Sequence, residues 1–467
     1  MADYDVIIVG SGPAGIFAAL EFAKGEKLNV LILEKGPDVN KRKCAERLTG
    51  KCINCEPCRI TSGWGGAGAF SDGKLTLSTE VGGWLGDYIG DKELENLIQY
   101  VDDVYGQFGA PAEVHGTGDE KVRQLQRQAV LADMRLIPMK VRHLGTDRCY
   151  DIIKLMKDRL IPHVDIRTGV PVVNLLTEDG RVTGVTTAKG EDITADHVIV
   201  GPGREGAGWL NKEVRRLGLS PVNNAVDIGV RVEVPAVVME PLTKELYEPK
   251  LIYSTKSFQD RVRTFCVCPY GVVASESTDG ITTVNGHSYA EKKTENTNFA
   301  LLVSTMFTEP FKEPIAYGKY IAQLANLLGD GIIVQRLGDL MDGRRSTPER
   351  IARGTTVPTF TDATPGDLSF VLPYRYISDI KEMLAALDTL APGVNSRNTL
   401  LYGVEVKFYS SRLKLKPTLE TEIENLYAIG DGAGVTRGLM QSSASGVVAA
   451  RAILSSIAGR KQCLQRS

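Results

Sequence analysis

The chain has 467 residues, with 55 Lys+Arg against 57 Asp+Glu and a formal net charge of −2. That length holds about three domains' worth of chain, and the near-neutral charge excludes a protein built chiefly to grip a nucleic-acid backbone, which needs a basic surplus. Hydrophobic residues make up 43% and charged residues 24%, as in a soluble globular protein, whereas the 48 glycines exceed the usual share of about 7%.

Charge interrupts every apolar stretch before the about 18 residues of a membrane span. Asp3 and Asp5 stand where a secretory leader would be basic. The expectation is a cytoplasmic protein with no membrane span. In that compartment the 8 cysteines point to metal or redox chemistry more than to structural disulfides.

Residues 4–9, YDVIIV, read as a buried parallel strand. Gly10-Ser11-Gly12-Pro13-Ala14-Gly15 follows, then a helical run from Ile16 to Phe22, a strand over residues 29–33, and Glu34. This is strand, G-x-G-x-x-G, helix, strand and acid in one short unit, the pattern of a dinucleotide site. Gly10 permits the tight turn, Gly12 lets backbone approach a pyrophosphate, and Gly15 lets the helix pack on the strand. The helix start at Pro13 and Ala14 offers N–H groups and a positive dipole end to phosphate. Glu34 can accept the hydroxyl hydrogens of an adenosine ribose and repels a 2′-phosphate, which leaves FAD or NAD. Lys35, next in line, joins the expected cofactor-binding residues.

Four cysteines follow: Cys44, Cys52, Cys55 and Cys58. C-x-x-C-x-x-C puts three thiolates on one loop, and Cys44 can supply a fourth ligand. The spacing leaves zinc, an iron–sulfur cluster, a redox disulfide and small buried thiols all open. Ser62 stands where a ferredoxin-type run would end in cysteine. Residues 62–75, SGWGGAGAFSDGKL, come next. Gly65, Gly66, Ala67 and Gly68 let backbone pass close to a large flat ligand, while Trp64 and Phe70 argue against a flexible linker.

Residues 91–163 read as helical, with amphipathic runs over 92–108 and 149–160. Residues 170–200 read as a β-meander ending in Gly201-Pro202-Gly203-Arg204. Residues 201–206 also fit G-x-G-x-x-G, but no second βαβ unit follows them. Residues 216–397 read as a second α/β segment with strands DIGVRVEV, RTFCVC, GVVAS, ITTVNG and NFALLVST and helices GKYIAQLANLL and SDIKEMLAAL. Arg263 can bind a carboxylate bidentately or form an ion pair. Cys266 and Cys268 flank Val267, so both thiols face one side of a strand, as redox groups or as core. His287, in a loop beside Asn285, can act as a general acid or as a structural hydrogen-bonder. Tyr270, Glu405 and Tyr409 are further candidates.

Near the carboxyl end, residues 425–431, NLYAIGD, form a buried strand ending in Gly430-Asp431, and a helix of small residues starts near Leu439. This resembles the second flavin-binding motif of FAD enzymes of the glutathione-reductase and hydroxybenzoate-hydroxylase type. The resemblance implies that Asp431 accepts a hydrogen bond from the ribityl chain. It also implies that Thr436, Arg437, Gly438 and Leu439 lead into a helix whose start faces the pyrimidine edge of the flavin, where charge accumulates on reduction. By the same resemblance the 62–75 loop lies along the pyrophosphate and the flavin ring. Gly201 and Gly203 lie beside the adenosine, and the Val170 backbone meets the adenine.

GSGPAG, GWGGAGAFSDGKL, RTFCVCPYG (263–271), NGHS (285–288), GVEVKFY (403–409) and ETEIENLYAIGDGAGVTRGL (420–439) together look like a widespread prokaryotic group described as uncharacterised FAD-dependent dehydrogenases, over nearly the whole chain. What this implies is an α/β fold with three parts. A Rossmann-like FAD-binding domain, parallel sheet plus β-meander, takes residues 1–80, 164–215 and 398–467. A mainly helical insertion takes 81–163, and a second α/β substrate domain takes 216–397. The implied function is an FAD-dependent oxidoreductase, a dehydrogenase or reductase. It moves hydride or electrons between flavin and a small organic substrate held between the second domain and the flavin, with NAD(P)H or ferredoxin as external partner. A flavin monooxygenase is an alternative, weakened because the hydroxylases' Asp-Gly motif has no Asp near residues 201–203. An RNA-modifying flavoprotein is another, weakened by the neutral charge.

Overall fold

A computed structural model describes residues 2–25, 28–44, 55–71, 73–116, 119–222, 225–246, 248–278, 280–288, 293–308, 311, 313–407 and 412–464. The chain divides into two compact units, residues 1–114, 141–222 and 410–467, and residues 115–140 and 223–409.

In the first unit Tyr4–Val9 lies in the middle of a seven-stranded sheet, with Val6, Ile7 and Ile8 fully buried. Its side chains are apolar on both faces, which suits a parallel strand covered on both sides. It pairs in parallel with Val30–Glu34, Val6 opposite Val30, and with Asp192–Val200, Val9 opposite Val200. Asp165–Thr168 and Leu426–Ala428 extend the parallel part. Val172–Glu178, Arg181–Thr187 and Asp192–Val200 run antiparallel as the expected meander. The helix Pro13–Phe22 starts on a proline, where the missing N–H is no loss. It packs on the long carboxyl-terminal helix Leu439–Leu464, whose Ala444, Val447, Ala449 and Ala450 are buried.

The second unit holds an eight-stranded mixed sheet. Its order is Thr364–Pro365, Ile333–Arg336, Leu400–Lys407, Val226–Pro235, Asn296–Thr305, Arg261–Cys268, Lys250–Ser254 and Met134–Ile137. Alternation along each strand makes its two faces different. Val226, Ile228, Val230, Val232 and Val234 join Phe299, Leu301 and Val303 in an apolar core with Ile380, Met383 and Leu384 of the helix Tyr374–Leu387. The other face carries Asp227, Arg231, Glu233, Asn296 and Asn298, and these are buried too.

The units divide the chain elsewhere than the expected boundaries. Leu400–Lys407 lies between Val226–Pro235 and Ile333–Arg336, so it stands in the second unit and not with residues 412–467. Asp91–Gln107 and Thr146–Leu160 are helices as expected. Met134–Ile137, however, is a strand paired with Lys250–Ser254, which carries residues 115–140 into the second unit. Both differences come from pairing between segments far apart in sequence, which local patterning does not encode. Among the described residues no helix is long and apolar enough to cross a membrane.

Candidate functional site

In the first unit the expected glycine turns converge at the carboxyl ends of the parallel strands. The N–H of Gly10 donates to the Leu33 carbonyl at 2.8 Å, that of Gly201 to Val9 at 2.8 Å, and that of Gly65 to Ser11 at 2.8 Å. A Cβ on Gly66 would lie 3.1 Å from the Gly12 Cα, and one on Gly432 would lie 2.4 Å from the Gly203 carbonyl oxygen. Residues 10–15, 65–68, 201–203 and 430–434 therefore meet.

Two glycines of the first turn differ sharply. A Cβ on Gly15 would come 2.0 Å from the Gly10 carbonyl oxygen, whereas a Cβ on Gly12 would find no described atom within 4 Å. The turn is closed toward the protein at Gly15 and open at Gly12. No side chain caps the helix that starts at Pro13. Its first-turn N–H groups are the ones a pyrophosphate takes. An open cradle over a free helix start fits a dinucleotide.

Glu34 is buried at the end of the second strand, but it does not stand as a free acceptor for a ribose. One oxygen accepts from the Ser11 N–H at 3.0 Å and hydroxyl at 2.8 Å, the other from the N–H groups of Gly36 at 2.8 Å and Gly63 at 2.9 Å. Its lone pairs are thus taken by the protein, and the residue ties the first turn to the 62–66 segment. Val170 donates its N–H to the Glu34 carbonyl at 2.9 Å, which places it beside this strand end. Lys35 pairs with Glu205 at 3.9 Å, both part-exposed.

Sequence reasoning missed Arg42, because Lys41-Arg42-Lys43 reads as a solvated basic run. Arg42 is 4% exposed. It donates to the carbonyls of Arg59 at 3.0 Å, Ile60 at 2.6 Å, Trp64 at 2.7 Å and Gly66 at 2.8 Å, and lies 4.7 Å from the Phe70 ring centre. Burial lowers its guanidinium to about 10, against the opposing pull of Glu34 and Cys58. A planar fork with five N–H donors can hold a glycine-rich loop in one shape.

At the far end of the site the Thr436 hydroxyl donates to Asp431 at 2.8 Å and the Gly438 N–H at 3.3 Å, while the Arg204 Nε lies 3.4 Å away. Asp431 thus braces residues 436–438 ahead of the long helix. Arg437 stacks on Trp84 at 3.9 Å, and Gly68 packs near Leu439. Gln441 donates to the carbonyls of Thr79 at 3.4 Å and Val81 at 3.1 Å.

Cys44, Cys55 and Cys58 are part-buried free thiols, and Cys52 lies outside the described residues. Burial raises the Cys58 thiol, but hydrogen bonds from the Thr61 and Ile60 backbone outweigh it and leave the group below its ordinary value. Among the described residues no group of three His, Cys, Asp or Glu is placed to hold a metal ion.

The second unit gathers four catalytic candidates on its polar sheet face. Glu405 is fully buried and receives Arg231 bidentately at 2.8 and 3.0 Å, so it is not an open carboxylate. Lys407 lies 3.1 Å from the same carboxylate. Arg263 pairs with Asp227 at 2.5 Å, which takes up the guanidinium expected to grip a substrate carboxylate. Cys266 and Cys268 do not simply alternate. A bulge separates Phe265 from Cys268, Cys266 has φ +46°, and the two sulfurs lie 3.9 Å apart. His287 ends the strand Ile281–His287 instead of lying in a loop, and it is exposed. The Tyr270 hydroxyl donates to Glu240 at 2.7 Å. Tyr409 lies outside the described residues.

Three family profiles match this architecture. "FAD binding domain" matches residues 5–43, "FAD-dependent protein, C-terminal domain-like" residues 225–408, and "Glucose inhibited division protein A" residues 381–461. An uncharacterized protein of Clostridium beijerinckii is 29% identical over 476 aligned positions, covering 96% of this chain and 80% of that one. An uncharacterized protein of Methanosarcina barkeri is 46% identical over 54 residues, 12% of this chain and 14% of that one. Among solved structures, glycine oxidase from Geobacillus kaustophilus aligns with TM-score 0.40 and 13% identity, over 97% of this chain and 95% of that one. A formate oxidase variant from Aspergillus oryzae aligns with TM-score 0.45 and 13% identity, over 98% and 99%. Its Rossmann-like sheet, its open dinucleotide turn and the two FAD profiles make the chain an FAD-binding protein.

Proposed function

We propose that this FAD-binding protein is an oxidoreductase, a dehydrogenase or reductase of the prokaryotic group its motifs resemble, moving hydride or electrons between FAD and a small organic substrate. NAD(P)H or ferredoxin serves as its external electron partner, and its place is the cytoplasm. The single observation that carries the cofactor reading is the open cradle at Gly12, ringed by residues 65–68, 201–203 and 430–434.

When bound, FAD would supply hydride-accepting chemistry that no side chain offers. The protein's own groups hold it. Gly10, Gly12 and Gly15 and the helix start at Pro13 receive the pyrophosphate. Glu34 and Arg42 fix the loops on either side, and Asp431 braces the turn before the long helix. A zinc or iron–sulfur centre on Cys44, Cys52, Cys55 and Cys58 rests on spacing alone. Protein purified without oxygen and free of both iron and zinc removes it.

The test is anaerobic reduction of the purified protein with NADH, NADPH and reduced ferredoxin in turn, followed by a screen of oxidants. The expected protein is yellow, releases about one FAD per chain on denaturation, and is bleached by one of the three donors. A colourless protein that takes up no FAD overturns the reading. Oxygen-dependent hydroxylation driven by NADPH replaces it with a monooxygenase.

A further inference from the structure

We infer that Cys266 and Cys268 form a dithiol site for thiol–disulfide exchange with a low-molecular-weight, anionic disulfide. This goes beyond the flavin reaction and does not depend on it.

The backbone is the first ground. Cys266 sits at φ +46°, in the left-handed region that a non-glycine residue rarely adopts. The strain coincides with the bulge between Phe265 and Cys268. The distorted segment holds Cys266 Sγ 3.9 Å from Cys268 Sγ. A disulfide needs about 2.05 Å, a closure that side-chain rotation and slight bulge movement can supply.

Charge is the second ground. The Arg231 guanidinium is fully buried, with Nη1 4.0 Å from Cys268 Sγ, 3.1 Å from the Cys266 carbonyl oxygen and 2.8 Å from Asn298 Oδ1. Two cations, Arg231 and Lys407, face one carboxylate, Glu405. Across the whole face Asp227, Glu233 and Glu405 match Arg231, Arg263 and Lys407 in number, and the Arg231 guanidinium is the cation set against Cys268 Sγ. A guanidinium held beside a thiol favours its thiolate. The hairpin Val272–Thr278 and Ile281–His287 reaches Arg231 at Gly286, where a Cβ would lie 2.2 Å from Nη1. The NGHS motif thus keeps the guanidinium in place.

Exposure assigns the roles. Cys266 is part-exposed and Cys268 is buried, so Cys266 meets the incoming disulfide and Cys268 resolves the product. The Cys266 thiolate attacks one sulfur of the small disulfide. That S–S bond breaks, a mixed disulfide forms on Cys266, and the first thiolate leaves and takes a proton from water. Cys268, its proton given up to water, then attacks the Cys266 sulfur. The mixed disulfide breaks, Cys266–Cys268 forms, and the second thiolate leaves and is protonated. Two electrons pass from the protein dithiol to the small disulfide, which becomes two thiols, and a dithiol reductant reverses the sequence.

The probe is glutathione disulfide, applied to the fully reduced protein as purified and followed by peptide mass mapping. The expected result is a Cys266–Cys268 linkage that forms about tenfold faster than any modification of the buried Cys149 and is undone by dithiothreitol. Cys268→Ser should trap glutathione on Cys266, and Cys266→Ser should abolish the fast phase. A wild-type protein with no Cys266–Cys268 linkage, or with Cys266 reacting no faster than Cys149, overturns the proposal without recourse to any variant. Glutathione lodged on Cys268 in the Cys266→Ser protein at the wild-type rate overturns the assigned order of attack.

Discussion

The Arg42 guanidinium donates to the Trp64 carbonyl at 2.7 Å, and the same Nη1 reaches the Gly66 carbonyl at 2.8 Å. One side chain therefore shapes the glycine-rich loop that faces Gly12. A buried acceptor left without a donor costs about 1–3 kcal/mol, and a lysine offers a point charge in place of a planar fork. Arg42→Met and Arg42→Lys should both weaken FAD binding by about tenfold or more, since each 1.4 kcal/mol is about one decade. Fluorescence titration of the apoprotein with FAD measures this. If Arg42→Lys binds FAD as the wild type does, the shape of the fork is not what the loop requires.

Gly12 and Gly15 separate binding from folding. At Gly15 a Cβ meets the Gly10 carbonyl oxygen at 2.0 Å, so Gly15→Ala must shift backbone and should lower the melting temperature of the apoprotein. At Gly12 the space is open and φ is −71°, so an alanine fits the fold without strain. Gly12→Ala should leave the apoprotein's melting temperature unchanged while FAD affinity falls by about tenfold or more. Equal loss of stability in both variants would contradict an open cradle at Gly12.

The two motifs that the sequence made plain are those whose chemistry is local. Residues 4–34 carry strand, turn, helix and acid in order, and residues 425–439 carry a strand end and a helix start. The structure finds both at neighbouring strand ends. What stayed hidden depends on distant partners. Arg42 looks like a solvated basic residue until residues 59–66 fold around it. Glu405 reads as a catalytic carboxylate until Arg231, far earlier in the chain, is found to hold both its oxygens. The bulge at Cys266 leaves no pattern, since RTFCVC alternates as any strand does.

The Arg231–Glu405 pair should be costly to break and cheap to replace. Both side chains are fully buried, and Glu405, against the desolvation that would raise it, is held below the usual carboxylate range by Arg231 and Lys407. A carboxylate depressed in the folded state adds stability that is present above its unfolded value and is lost as pH falls through the folded one. Glu405→Leu leaves a buried guanidinium unbalanced, for a loss of about 3–5 kcal/mol. Arg231→Met with Glu405→Leu should lose less than the sum of the two single changes, because neither member of the fully buried pair is left without the other. Urea unfolding of the three variants at pH 7 and pH 4 measures both effects. Strict additivity would show that the pair does not act as a unit.

Asp379 should work in the opposite sense. It is fully buried on the helix Tyr374–Leu387. Burial, reinforced by the nearby Asp260 carboxylate and opposed by Thr255 and Arg375, pushes its carboxyl up to about 6 from 3.8. A carboxyl raised in the folded state holds a proton that the unfolded chain has already released. Between about pH 4 and pH 6 the folded state therefore binds more protons, and stability falls as pH rises through that window. The loss is complete above pH 6 and amounts to about 3 kcal/mol at most. Asp379→Asn mimics the protonated side chain and carries no charge at any pH. It should melt higher than the wild type at pH 8, by up to that amount, and match it near pH 4. The two melting curves, taken at half-unit pH steps, should converge on the acid side. An asparagine variant less stable than the wild type at pH 8 would mean that the ionised Asp379 is held by a partner strong enough to outweigh its burial.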